Sequence, residues 1–168
     1  MSVDNSELLA FQNQIQALKD DIPEIMDSLA VGEGRYARDQ ARKICKEENI
    51  ANTGDYRRNF KSGTKAIRAG NSYKIDVFNN LDYAKPLEYG FRSHFVPGHW
   101  EGRSFVYMPN DPQGGMIMPG KKKAPSGYMR GKFVLRRAIR RTKTTQAARL
   151  NRKMDRIIRQ RMNGGGTE

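Results

Sequence analysis

The chain is poor in the residues that most often carry chemistry. Its 168 residues include one cysteine, one tryptophan and two histidines. A single thiol, Cys45, excludes an internal disulfide, and on a helix it reads as a small buried apolar group. His94, His99 and Glu101 form a His-x4-His-x-Glu series, which lacks the i,i+4 spacing that turns two ligands toward one metal. That series lies in a Gly/Pro-rich stretch with no cysteine near, so loop packing is its ordinary reading. A Ser-His-Asp or Cys-His site would have to draw on the same stretch, where nothing marks a nucleophile. Gly32-Glu33-Gly34 has neither the third glycine nor the preceding strand of a phosphate-binding turn. Acids stand singly through the middle of the chain, which gives no basis for paired-carboxylate hydrolysis. No catalytic group, metal site or cofactor is therefore expected.

Long apolar runs are also missing. None approaches the roughly 20 residues needed to span a bilayer, so no membrane segment is expected. The opening Met1-Ser2-Val3-Asp4 is acidic and lacks the apolar core of a secretory signal. Only 37% of the chain is apolar while 29% is charged, against a usual apolar share of roughly half. The core will be modest, and much of the chain must find burial against partners or stay solvated.

Acid is scarce at one end. Residues 1–50 carry net −4, residues 51–129 net +6 and residues 130–168 net +11, in a chain of net +13. Within residues 1–34 there are seven acids and one lysine. Of the thirteen bases in residues 130–168, ten are arginine, the side chain suited to bidentate contact with phosphate or carboxylate.

What is present falls into three segments. Leu8, Phe11, Ile15, Leu18, Ile22, Ile25 and Leu29 alternate spacings of three and four, the pattern of an amphipathic helix. Asp4 and Glu7 resemble a capping box. Pro23 is expected to kink this helix and Gly32-Glu33-Gly34 to loosen it, with a second helix from Arg35 to Glu48 burying Ala37, Ala41, Ile44 and Cys45. The first stripe packs either on its own domain or between subunits. Asn52-Thr53-Gly54-Asp55 is turn chemistry.

From Phe60 the period changes to two. Tyr73, Ile75 and Val77 alternate with Lys74, Asp76 and Phe78 as a half-buried strand, which can pair with residues 61–69 across Ala69-Gly70-Asn71-Ser72. Tyr83 to Gly90 suits a short helix, with Pro86 in its first turn and Gly90 at its end. Residues 91–128 read as a long loop. Phe105–Met108 and Met116–Met118 are candidate strands joined through residues 109–115, and Lys121-Lys122-Lys123 is an exposed tip. Gly131 to Met162 reads as a basic helix with Leu135, Ile139, Leu150, Met154 and Ile157 near one stripe. Thr142 to Thr145 would bend or interrupt it.

In that helix Arg149, Arg152, Arg156 and Arg159 form one stripe, and Arg136, Arg137, Arg140 and Arg141 a second cluster. These eight are the candidate contacts to nucleic acid or to an acidic partner, the acidic N-terminal helix included. Six such contacts to duplex DNA would give a log–log salt slope of about −5. No aromatics interleave with them and no zinc, RNA-recognition or homeodomain signature is present, so sequence-specific readout is not expected.

The order of elements resembles a known family. Thr53-Gly54-Asp55-Tyr56-Arg57-Arg58-Asn59-Phe60 is similar to the TG-x-L-R-x-S step of the tail-completion, or neck, proteins of tailed bacteriophages. Tyr56 stands at the leucine, and Asn59 or Phe60 at the serine. Asn80, Tyr83, Ala84, Glu88 and Gly90 fit the N-x-x-Y-A-x-x-x-E-x-G element that follows the hairpin there. Gly131-Lys132-Phe133-Val134-Leu135 stands where the family has Pro-Phe and a helix start. The likeness runs from about residue 35 to 140 and does not reach the rest of the basic helix.

That resemblance implies an α+β fold, an antiparallel β-sheet packed by long N-terminal and C-terminal helices. The segments would be residues 1–50, residues 51–130 and residues 131–168. It further implies a structural virion protein, assembled in the host cytoplasm, that completes the tail or connector and permits head–tail joining. Its partners would be its own copies in a ring, a hexamer by the resemblance, then connector and tail-terminator or tail-tube proteins, with packaged DNA touched non-specifically. Thr53, Gly54, Asn80, Tyr83, Ala84, Glu88 and Gly90 would build the domain. Phe95, Trp100 and Phe105 would be apolar contacts between subunits. The alternative reading is a sequence-independent nucleic-acid-binding protein acting through the basic helix.

Overall fold

The computed structural model describes residues 5–50, 54–110, 114–118 and 127–162. Thr53, Asp4, the lysine tip and the final glycines lie outside them. The described chain is α+β, with small antiparallel sheets and long helices near both ends. It divides into two units, one made of Met1–Asn80 with Leu135–Glu168 and the other of Leu81–Val134.

In the first unit, helix α1 runs unbroken over Ser6–Glu47 with Pro23 inside it. At 1.5 Å per residue it is roughly 63 Å long. The expected loosening at Gly32-Glu33-Gly34 does not occur, and the reason is packing. A Cβ on Gly34 would stand 2.7 Å from Ile75 Cγ1, and one on Gly32 would stand 2.7 Å from Lys153 Nζ. These glycines admit neighbours to the helix surface; they are not hinges. Asn5 occupies the N-cap position without a side-chain cap bond. At the other end Asn49 adopts φ 48°, and Ile50 N–H donates to Cys45 O at 2.9 Å. That left-handed closure ends the helix and buries Ile50.

Helix α2 (Asp55–Arg58) follows, opened by Gly54 at φ 75°. Strands β1 (Phe60–Ser62), β2 (Ile67–Ala69), β3 (Ser72–Lys74) and β4 (Val77–Asn79) form one interrupted hairpin. β2 pairs with β3, Ala69 opposite Ser72, and β1 pairs with β4, Phe60 opposite Asn79. Tyr73, Ile75 and Val77 are half-buried while Lys74, Asp76 and Phe78 are exposed, as the period-two pattern predicts. The core of this unit is Ile25, Leu29, Ala37, Ala41, Ile44, Cys45, Tyr56 and Phe60. Tyr56 meets Phe60 edge-on at 5.0 Å.

Helix α4 is also continuous, over Val134–Met162. The threonines do not interrupt it. Thr142 Oγ1 donates to Ala138 O at 2.9 Å and Thr144 Oγ1 to Arg140 O at 3.0 Å, so both hydroxyls are satisfied inside the helix. Its inward line differs from the expected stripe. Ala138 and Thr142 are buried while Ile139 is exposed.

In the second unit helix α3 (Ala84–Tyr89) leads into β5 (Gly90–Arg92), which pairs with β9 (Tyr128–Arg130). Residues 94–118 are not the long loop the sequence suggests. An eight-residue strand β6 (His94–Glu101) runs through Pro97 and Gly98, with β7 (Ser104–Tyr107) on one side and β8 (Gly115–Met118) on the other. β7 and β8 are the expected strands, but each pairs with β6 and not with the other. Pro97 is tolerated in this central strand because its neighbours there are β8's first residue, Gly115, and the end of the β7 pairing.

Candidate functional site

Helices α1 and α4 run antiparallel, and ion pairs mark their register. Arg137 pairs with Glu48, Arg141 with Glu47 at 3.0 Å, Arg149 with Glu33, and Arg161 with Asp21 at 3.0 Å. Three of the four have both partners substantially exposed, and such pairs contribute about 0–1 kcal/mol each. The Arg149–Glu33 pair differs. The two side chains are 12% and 7% exposed. Arg149 Nε donates to Glu33 Oε1 at 3.1 Å and Nη2 to Glu33 Oε2, a two-pronged contact. Nη2 also reaches Thr142 O at 3.1 Å, and Nη1 donates to Thr145 Oγ1. The guanidinium lies over the Tyr36 ring, 3.6 Å from its centroid. Its pKa is raised above an already high value, chiefly by the hydrogen bond to Glu33 and against the opposing effect of burial.

Arg149 is thus turned inward, away from the stripe that its spacing shares with Arg152, Arg156 and Arg159. Those three are exposed, as are Arg136 and Arg140. Arg152 Nε bonds only back to its own helix, to Ala148 O at 3.1 Å. Arg152, Arg156 and Arg159, spaced four and three, lie on one outward line with no carboxylate partner among the described residues.

Several positioning residues carry no sequence signal. Arg42 reaches from α1 to Phe60 O at 2.9 Å and Arg58 O at 3.2 Å, so one guanidinium holds β1 and the end of α2. Asp27 accepts from Ala66 N–H at 2.7 Å, and Asn79 Nδ2 donates to Tyr56 O at 2.7 Å. Glu33 and Tyr36 stand out only once α4 is placed beside them.

The family-type motif falls on backbone junctions. Gly54 has its left-handed φ at the start of α2, and Asn80 is exposed just after β4. Tyr83 is the residue before α3, with Ala84 and Glu88 buried within it. Gly90 ends the helix at φ 88° and faces Gly131. A Cβ on either would collide with the other segment's backbone, Met129 O in one case and Glu88 O in the other. The chain after Gly131 caps α3, because Lys132 N–H donates to Leu87 O at 2.8 Å and Phe133 N–H to Glu88 O at 3.1 Å. Phe133 takes a positive φ of 48° to do so.

The aromatic candidates sit together on the β7-β6-β8 sheet. Phe95 is 62% exposed and Trp100 58%, while Phe105 is half-buried against Trp100 with ring centroids 5.3 Å apart. Directly paired residues share a face. Phe95 with Ile117 therefore lies on one face, and Trp100, Phe105 and Tyr107 lie on the other. Both faces carry exposed apolar side chains. His99 Nε2 is 3.2 Å from Glu101 Oε1 and His94 Nδ1 is 3.0 Å from Arg92 O. Among the described residues no group of three or more His, Cys, Asp or Glu could hold a metal, and no helix is long and apolar enough to cross a membrane.

One comparison with known proteins finds a family match. Residues 10–90 match the HK97-gp10-like family, described as "Bacteriophage HK97-gp10, putative tail-component". No curated protein and no solved structure matches. The matched stretch takes in α1 from Ala10, the hairpin and α3 to Gly90, and ends before the β7-β6-β8 sheet and α4. Over residues 10–90 the chain is similar to the HK97-gp10-like family of putative bacteriophage tail components, and this fits the tail-completion kind of family that its motifs resemble.

Proposed function

We propose that the chain is a structural virion protein of the phage neck, completing the tail or the connector and permitting head and tail to join. It works as a ring of its own copies, six by the family resemblance, around the DNA channel, between connector and tail-terminator or tail-tube proteins. Assembly takes place in the host cytoplasm. One observation carries this reading. A chain that matches a tail component over residues 10–90 leaves apolar surface uncovered in two separate places, the first half of α1 and both faces of the β7-β6-β8 sheet. Contiguous exposed apolar surface of this kind marks contact surfaces. The role is one of occupancy, in which subunits cover one another and present a face to the next ring.

Infection without the chain tests it. Filled heads and finished tails should accumulate unjoined, and purified protein should restore joining in the extract. Joined, infectious particles formed in its absence would refute the reading.

A second reading has a specific observation in its favour. Arg152, Arg156 and Arg159 face outward on one line without acidic partners among the described residues. Three phosphate contacts would give a salt slope of about −3. If the chain acts by binding nucleic acid, replacing these three will abolish function with assembly intact. If head–tail joining survives the replacement, this second reading falls.

A further inference from the structure

The apolar stripe of α1 continues past the point where its own chain covers it. Arg161, next to the last described residue of α4, pairs with Asp21. Beyond it, Leu8 is 66% exposed, and Phe11 and Ile15 are about half exposed. Residues 6–20 thus form an arm, roughly 22 Å of helix with an uncovered apolar line.

Elsewhere in the same unit an apolar groove of about 340 Å³ opens between α1, α4 and the β2–β3 hairpin. Met26, Leu29, Tyr73, Ile75, Leu150 and Met154 line it. This groove lies on the covered part of the helix whose free part is the arm. Because α1 is continuous, the arm cannot fold back into it; Phe11 and Ala30 are fixed roughly 28 Å apart along one axis. The arm therefore cannot fill the groove of its own chain, whereas the arm of another molecule can. Charge agrees with a second copy as that molecule. The arm carries Glu7 and Asp20 against one base, Lys19, while the groove is flanked by Lys74 beside Tyr73 and by Lys153 beside Met154, and the one acid in its lining, Glu33, is paired with Arg149.

We propose that the arm of one copy seats Phe11 and Ile15 in the α1–α4–hairpin groove of the next. This rests on the self-assembling neck reading and names the contact that would build the ring. Arm-to-groove contact is heterologous: each copy offers two different surfaces, so the contact repeats until the rotation closes it.

The test uses the full chain and light-scattering mass. The arm variant is Phe11→Asp with Ile15→Asp. The groove variant is Ala30→Trp, which fills the groove from a helical position. Met154→Lys serves in its place if circular dichroism shows that Ala30→Trp does not fold. Wild type should assemble, and each variant alone should need at least tenfold more protein to do so. A 1:1 mixture should give a species of twice the monomer mass, because one intact arm then meets one intact groove. Assembly by the groove variant as by wild type, or a mixture that stays monomeric, overturns the proposal. If wild type still forms a ring in that case, the neck reading stands without this contact. A wild-type chain that is monomeric at every concentration and joins no virion component removes both.

Discussion

The two halves of α1 share one apolar spacing and meet different fates. From Ile25 to Cys45 the inward positions are buried; the hairpin and α2 pack on this half, and α4 lies alongside it through ion pairs. From Leu8 to Ile22 the same three-and-four spacing is exposed, with Leu18 half-covered. Charge follows the same division. Glu33, Glu47 and Glu48 meet arginines of α4, and Asp21 meets Arg161 at the boundary. Apolar period therefore shows which face of a helix will be buried but not by which chain. Length decides it here: α4 has 29 residues and α1 has 42.

Substitutions that treat the halves differently will sharpen this contrast. The largest effect is expected at Ile44, fully buried in the covered half. Ile44→Ala should cost about 2–5 kcal/mol in denaturant unfolding, whereas Ile15→Ala in the free half should change the stability of the monomer by less than about 0.5 kcal/mol. An equal cost at both sites would mean that the arm is covered within its own chain.

Next is the buried ion pair. Arg149→Met leaves Glu33 without its cation in a site 7% exposed, a loss of about 3–5 kcal/mol. Pairing it with Glu33→Leu should recover much of that, since the cost lies in the stranded charge; a double variant no better than the single would show that Arg149 acts otherwise. The raised pKa of Arg149 fixes the sign of its pH dependence. Its stabilisation is complete below the ordinary arginine value and is lost only as pH climbs through the raised one. Between roughly pH 7 and 10 the contribution of Arg149 to stability should be flat. A wild-type-minus-Arg149→Met difference that falls over that range contradicts it.

Pro23 lies close to where the halves meet, inside the helix and exposed. Pro23→Ala restores an intrahelical hydrogen bond and should stabilise by about 1–3 kcal/mol, visible as added helicity and a higher Tm. A loss of stability would mean that the surrounding fold depends on the proline's geometry. The smallest effect is expected at the outward arginines. Arg152→Ala and Arg156→Ala should each shift stability by less than about 0.5 kcal/mol, and a larger cost would place them in the fold.

Much of this architecture was legible from local pattern. The amphipathic spacing marked α1 and α4, the period-two run marked the hairpin with Ala69 opposite Ser72, and Pro86 with Gly90 bounded α3. What was not legible depends on distant partners. Gly32 and Gly34 read as breakers because Lys153 and Ile75, which fill the space beside them, are far along the chain. β6 was hidden by Pro97 and Gly98, and it exists because strands on both sides pair with it. Arg149 looked like one of four on a stripe, and only Glu33, 116 residues away, turns it inward. Arg152, Arg156 and Arg159 are exposed, and their spacing of four and three sets them on one helix face.

The proposed virion ring requires that other subunits cover the bare half of α1 and the exposed β7-β6-β8 sheet. The most direct measurement is the solution mass of the purified 168-residue chain, alone and with connector proteins. A closed oligomer that joins the connector is the predicted result. A lone monomer at every concentration, bound to DNA and to no virion protein, would contradict it.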